Sequence, residues 1–188
     1  MATIIDVIQS KLGFAPLQKV DPNIQEARHN EQRSVTEKLA QAAIPSVLAA
    51  MLKLSRTDTG TAILTRNDAN EKWTASLFGG NKDSVVEKVA QYAGVSAPEA
   101  EATMDKVAMT AVTVVNEKVA EKKGRTLNEY LGSERHHILV YLPAALQLGY
   151  LLNDQVMDDR TNKMEGPVSN LMHKIENAMS KNDQTKYP

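Results

Sequence analysis

The stretch ATMDKVAMTAVTVVNEKVA, residues 102–120, decides the fold of this chain. Apolar residues recur in it at intervals of three and four, which places them on one face of an α-helix. They are Met104, Val107, Ala108, Ala111, Val112, Val115 and Val119. Met109 and Val114 widen this stripe, so we expect a central helix that other helices cover on more than one side. The helix is predicted from Ala97 to about Lys123.

Further helix starts are marked by capping boxes of the form Ser/Thr-x-x-Glu. In such a box the hydroxyl accepts from an unpaired backbone N–H, and the glutamate bonds back to the cap residue. The boxes are Ser34 with Glu37, Ser96 with Glu99, and Thr126 with Glu129. Strand signals are scarce, because aromatic residues make up 4% of the chain and no Asn-Gly or Asp-Gly turn separates alternating segments. The sequence therefore predicts an all-α, multihelical fold.

Glycines and prolines set the expected boundaries in the N-terminal half. A first helix is expected from Thr3 to Leu12, with Gly13 ending it. A longer helical stretch, roughly 23–55, contains Pro45, which lacks a backbone donor and clashes with the preceding turn. We expect a break or kink at Pro45, which opens a second helix at 46–54.

The C-terminal half is expected to continue with a short helix at 126–131 and a last core element at 133–152, which Pro143 interrupts. Tyrosines and methionines in the core helices are interpreted as packing residues. These are Tyr92, Tyr141, Tyr150, Met51, Met104 and Met109.

The chain repeats itself weakly. IIDVIQSKLGF (4–14) and VVEKVAQYAGVS (85–96) are both amphipathic, and each ends at a glycine followed by an apolar residue. An alanine-rich stretch follows each of them, AQAAIPSVLAAMLKL and ATMDKVAMTAVTVV. The spacing differs between the two copies, so an array of identical repeats is not indicated. The pattern instead indicates two weakly similar halves within one domain.

The composition becomes polar after Asn153. We therefore expect a helical domain over 1–153, with halves at about 1–80 and 81–153, and a C-terminal helical arm over 154–188.

The balance of charges bears on the classes of partner. The chain has 22 Lys plus Arg against 23 Asp plus Glu, whereas a protein that neutralises many phosphates shows a basic excess. Nucleic-acid binding is not expected. Cysteine is absent, which excludes disulfides and thiolate metal sites. The N-terminus lacks the basic start of a signal peptide, and the longest apolar run, 138–152, is too short for a membrane span. A cytoplasmic location is expected.

Several short motifs, taken in order, resemble a known family. They are AAIPSVLAAML (42–52), LFGG (77–80), VEKVAQYAGVS (86–96), NEYLGS (128–133) and ERHHILVYLPAAL (134–146). Together they resemble the YidB-like family, bacterial helical proteins of uncharacterised function. The charged segment 18–38 and the arm after Asn153 depart from the family pattern. The resemblance implies a multihelical array and supplies no enzyme activity, cofactor or catalytic residue.

The pattern Glu-x-x-His occurs twice, as Glu26 with His29 and as Glu134 with His137. On a helix this spacing puts a carboxylate and an imidazole on one face, and two such pairs occur in di-iron helical bundles. Because apolar neighbours are lacking around the first pair, we interpret both as solvated surface pairs. A carboxylate–histidine metalloprotein, with oxidoreductase activity as one form, is the alternative reading.

The other chemical motifs are missing from the sequence. There is no Gly-x-Ser-x-Gly elbow and no Gly-rich phosphate loop. The chain is therefore interpreted as a non-catalytic interaction or assembly protein without a cofactor. A carrier with an apolar pocket between helices is a third reading.

The arm carries the predicted contact with a protein partner or a second copy. An amphipathic helix is expected to start at Pro167, with apolar residues at heptad-like spacing. The predicted partner-binding residues are Val168, Leu171, Met172, Ile175 and Met179. The same stripe would equally serve to pack the arm against its own domain, and the sequence leaves both arrangements open.

Overall fold

The computed structural model describes residues 2–21, 23–28, 32–66, 68, 71–121 and 124–154, and the structural statements below concern these residues. They confirm the predicted all-α, multihelical fold. The helices are α1 Ile4–Leu12, α2 Val35–Leu54, α3 Asp58–Thr65, α4 Trp73–Phe78, α5 Lys82–Ala93, α6 Ala97–Glu121, α7 Leu127–Leu139 and α8 Leu148–Leu152. Short 3₁₀ turns occupy Gly79–Asn81 and Ala144–Leu146. A small antiparallel hairpin pairs β1, Val20–Asp21, with β2, Glu26–Ala27.

Two helices form the centre of the domain. α6 contacts α1, α2, α4, α5 and α7, which confirms the predicted central helix. α2 is buried more completely, since every residue from Leu39 to Leu52 is inaccessible or nearly so, and it packs against α5, α6 and α7. A helix that is apolar on all sides belongs in the middle of a core. The interior therefore lies between these two helices, and the shorter ones cover it.

The capping residues place the helix starts as the sequence predicts. Both bonds of the box are present at Ser34–Glu37 and at Thr126–Glu129. The Oγ of Ser96 accepts from the backbone N–H of Glu99 at 3.4 Å. A further box joins Thr3 to Asp6 at the start of α1, where aspartate takes the place of the glutamate that the pattern requires. Gly13, in the left-handed region with φ of 71°, ends α1 as predicted.

Two of the expected boundaries in the N-terminal half are wrong. The described residues of the stretch 23–33, predicted to be helical, include strand β2, Glu26–Ala27, and α2 begins only at Val35. The predicted break at Pro45 is also wrong, because α2 runs through it without interruption. Proline inside a helix costs about 3 kcal/mol, and full burial of Ile44, Val47 and Leu48 contributes about 1.5–3 kcal/mol each. The burial on both sides of Pro45 outweighs the lost hydrogen bond.

The predicted division of residues 126–152 is partly wrong. One helix, α7, passes through Gly132 to Leu139, where the sequence suggested two elements. Glycine costs a helix only about 1 kcal/mol relative to alanine, and buried Leu131 and Ile138 on either side hold α7 together. The predicted interruption at Pro143 is confirmed, since the chain leaves the helical conformation before it.

Two side chains interpreted as core residues are exposed. Met109 on α6 is 41% exposed and Tyr150 on α8 is 76% exposed. Tyr92 and Tyr141 pack against the core with part of their surface accessible, as expected. Among the described helices, none is long and apolar enough to cross a membrane. The two-halves division and the boundary near 153 stay predictions.

Candidate interaction site

The structure places the four residues of the predicted Glu-x-x-His pairs in different surroundings. Glu26 lies in β2, where its Oε1 accepts from the hydroxyl of Tyr92 and from the backbone N–H of Ala27 at 2.7 Å. Glu134 lies 3.3 Å from Nδ1 of His137 and accepts from the backbone N–H of Ile4 at 3.4 Å.

His29 lies outside the described residues. Both glutamates are half-buried and bonded within the domain, while His137 is exposed and its contact with Glu134 lies at the surface, as interpreted from the sequence. The structure does not bring Glu26 and Glu134 to common partners. Within the described part of the chain, no group of three or more His, Cys, Asp or Glu could hold a metal ion.

The predicted partner-binding residues of the arm lie outside the described residues. They are Val168, Leu171, Met172, Ile175 and Met179.

The side-chain amide of Gln41 is the centre of a buried polar site that sequence reasoning missed. Gln41 lies on α2 and is 0% exposed. Its Oε1 accepts from the backbone N–H of Gln18 at 2.9 Å and from Nη1 of Arg33 at 2.8 Å. Its Nε2 donates to the carbonyl oxygens of Gln18 at 3.0 Å and Tyr141 at 2.7 Å. An amide has two acceptor positions and two N–H bonds, so Gln41 is fully satisfied.

Arg33 determines which way this amide points. A guanidinium only donates hydrogen bonds, so the atom facing Nη1 of Arg33 must be the oxygen of Gln41. The nitrogen is then turned towards the carbonyl of Tyr141. The sequence signal for the site is a glutamine inside a largely apolar stretch, AQAAIPSVLAA, but its carbonyl partners lie 23 and 100 positions away. No local pattern identifies them.

A second polar contact lies close to the first. Tyr92 on α5 donates its hydroxyl to Glu26 of the hairpin. Burial and the adjacent Glu26 carboxylate both raise the pKa of Tyr92 above its ordinary value, while the charge of Arg33 lowers it. The phenol therefore stays neutral and keeps donating throughout the physiological range. Together, Gln41 and Tyr92 fasten the segment between α1 and α2 to the helical core.

The end of the described domain is also fixed by a charged contact. Asp154, with a side chain 4% exposed, pairs with Nη1 of Arg56 at 2.8 Å. Lys53, in the last turn of α2, donates to the carbonyl of Leu152. Asn153 adopts a left-handed conformation, and the backbone N–H of Asp154 bonds the carbonyl of Gly149 at 2.9 Å. The last described residues are therefore bonded beside the C-terminal end of α2.

An open cavity of about 450 Å³ adjoins this point. It is lined by Lys53, Arg56, Thr57, Asn153 and Asp154. Its two cations are bonded to the end of the domain, so the cavity belongs to the chain exit and we assign it no ligand.

Comparison with known proteins supplies no relative: no family model, no curated protein and no solved structure matches the chain. The function is therefore argued from the geometry of the described residues and from the sequence of the arm.

Proposed function

We propose that this chain is a non-catalytic, YidB-like helical protein that assembles with a protein partner, or with a second copy, through its C-terminal arm. The observation that carries the proposal is the use of the buried polar side chains in the described domain. Five of the buried polar side chains, Gln9, Gln41, Ser55, Thr74 and Asp154, are bonded to groups in another part of the fold, whereas the hydroxyl of buried Ser46 makes no hydrogen bond. Their hydrogen bonds hold the fold together, and a protein built this way acts through its surfaces.

The arm supplies the surface that best fits this role. Val168, Leu171 and Ile175 repeat at heptad-like intervals, and Met172 and Met179 lie beside them on a helical projection. Methionine side chains adapt to irregular partners, which suits a surface that binds another helix. The opposite side of the projection is polar, with Asn170 and Asn177 at its centre. An apolar stripe of this kind is typical of helix-in-groove or coiled-coil contacts.

The attachment of the arm supports the same role. Arg56 and Lys53 bind Asp154 and Leu152, so the last described residues before the proposed arm are held against the domain. A cytoplasmic location is part of the proposal and rests on the sequence.

The experiment is a measurement of molar mass by light scattering. The full chain is compared with a chain truncated after Asp154 and with the double variant Leu171→Asp/Ile175→Asp. Since a charge at the centre of an apolar contact is not tolerated, both altered proteins should be monomeric where the full chain has a multiple of the monomer mass.

The matched control is Asn170→Asp/Asn177→Asp, which adds the same charge to the opposite side and should leave the assembly intact. Equal monomeric masses for all four proteins would remove self-assembly. The partner form of the proposal then rests on a pull-down with the arm as bait. Recovery of the same proteins by the Leu171→Asp/Ile175→Asp arm would remove that form too.

A further inference from the structure

We draw no further inference here: the strongest candidate, the exposed face of α6 around Met109, is an unpartnered helix surface, and nothing among the described residues shows what covers it.

Discussion

At the scale of single residues, the hydrogen bond from Tyr92 to Glu26 connects α5 to the hairpin. Tyr92→Phe removes this bond and should cost about 1 kcal/mol of unfolding free energy at pH 7. Burial, and then Glu26, raise the pKa of Tyr92 above its ordinary value of 10.0. The stabilisation from the neutral phenol is therefore complete below about pH 10 and is lost as the pH rises above it.

The variant has no phenol to ionise at this position, so the difference in stability between wild type and Tyr92→Phe should narrow from pH 10 to pH 11. Urea unfolding, followed by circular dichroism at pH 7, 10 and 11, measures this difference in unfolding free energy. Tyr150→Phe, at a side chain that is 76% exposed, serves as the control and should have little effect at neutral pH. A difference that widens with pH would contradict this account of Tyr92.

The same residues show why the candidate site was not predictable. Gln18, Arg33 and Tyr141 meet at Gln41 only because α2 brings the two ends of the domain together. Glu26 was noticed for its spacing to His29, yet its partner is Tyr92, which is 66 positions away. The spacing of residues in the sequence predicts contacts within one helix or strand. The contacts of Gln41 and Glu26 join different elements, so spacing does not predict them.

At the scale of elements, two helix starts are titratable. In the boxes at the start of α2 and α7, the hydrogen bonds of Ser34 and Thr126 lower the pKa of Glu37 and Glu129. A lowered pKa means that the stabilisation is present above the pKa of the unfolded chain and is lost as the pH falls through the folded value. Glu37→Gln/Glu129→Gln should therefore have a lower melting temperature than wild type at pH 7, and the gap should close between about pH 5 and pH 3.

A second double variant changes the hydroxyl residue of each capping box and serves as the comparison for this prediction. Ser34→Ala/Thr126→Ala removes the hydroxyls but keeps the backbone N–H groups that donate to Glu37 and Glu129, so it should reduce the pH dependence only in part. Thermal unfolding at four or more pH values in that range measures both. If the difference in melting temperature between wild type and Glu37→Gln/Glu129→Gln stays constant down to pH 3, the capping boxes do not stabilise the helices through the charge of the glutamates.

The helices themselves divide into those that local signals define and those that packing defines. α1 and α5 end at Gly13 and Gly94, both in the left-handed conformation, and their boundaries agree with the pattern of apolar residues. α2 and α7 contain a proline and a glycine that suggested breaks, and both helices continue because their flanking residues are buried. A proline or glycine inside a helix raises the free energy of that helix locally. The burial of neighbouring side chains that outweighs this cost exists only in the folded molecule.

At the scale of the whole molecule, the apolar stripe of residues 102–120 was sufficient to predict the architecture. A stripe on more than one side of α6 requires neighbours around it, and the described domain supplies them from α1, α2, α4, α5 and α7. The stripe does not reveal which neighbour is innermost, since α2 has its burial from the packing of small side chains such as Ala42, Ala43 and Ala49. The proposed function is still less visible, because the residues proposed to carry it lie outside the described part of the chain.

The contact between Arg56 and Asp154 couples the domain to the chain that follows it. Asp154→Ala leaves Arg56 without its 2.8 Å partner in a region where the carboxylate is 4% exposed. Because Arg56 itself is partly solvated, the loss should be about 1–2 kcal/mol, below that for a fully buried pair. For a domain of this size the melting temperature should fall by about 3–6 °C.

Asp83→Ala breaks an exposed pair with Lys82 and is the control, with an expected change in melting temperature below about 2 °C. Thermal unfolding of the two variants beside wild type decides: equal losses in melting temperature would mean that the burial of Asp154 adds nothing to the stability that its pair with Arg56 contributes.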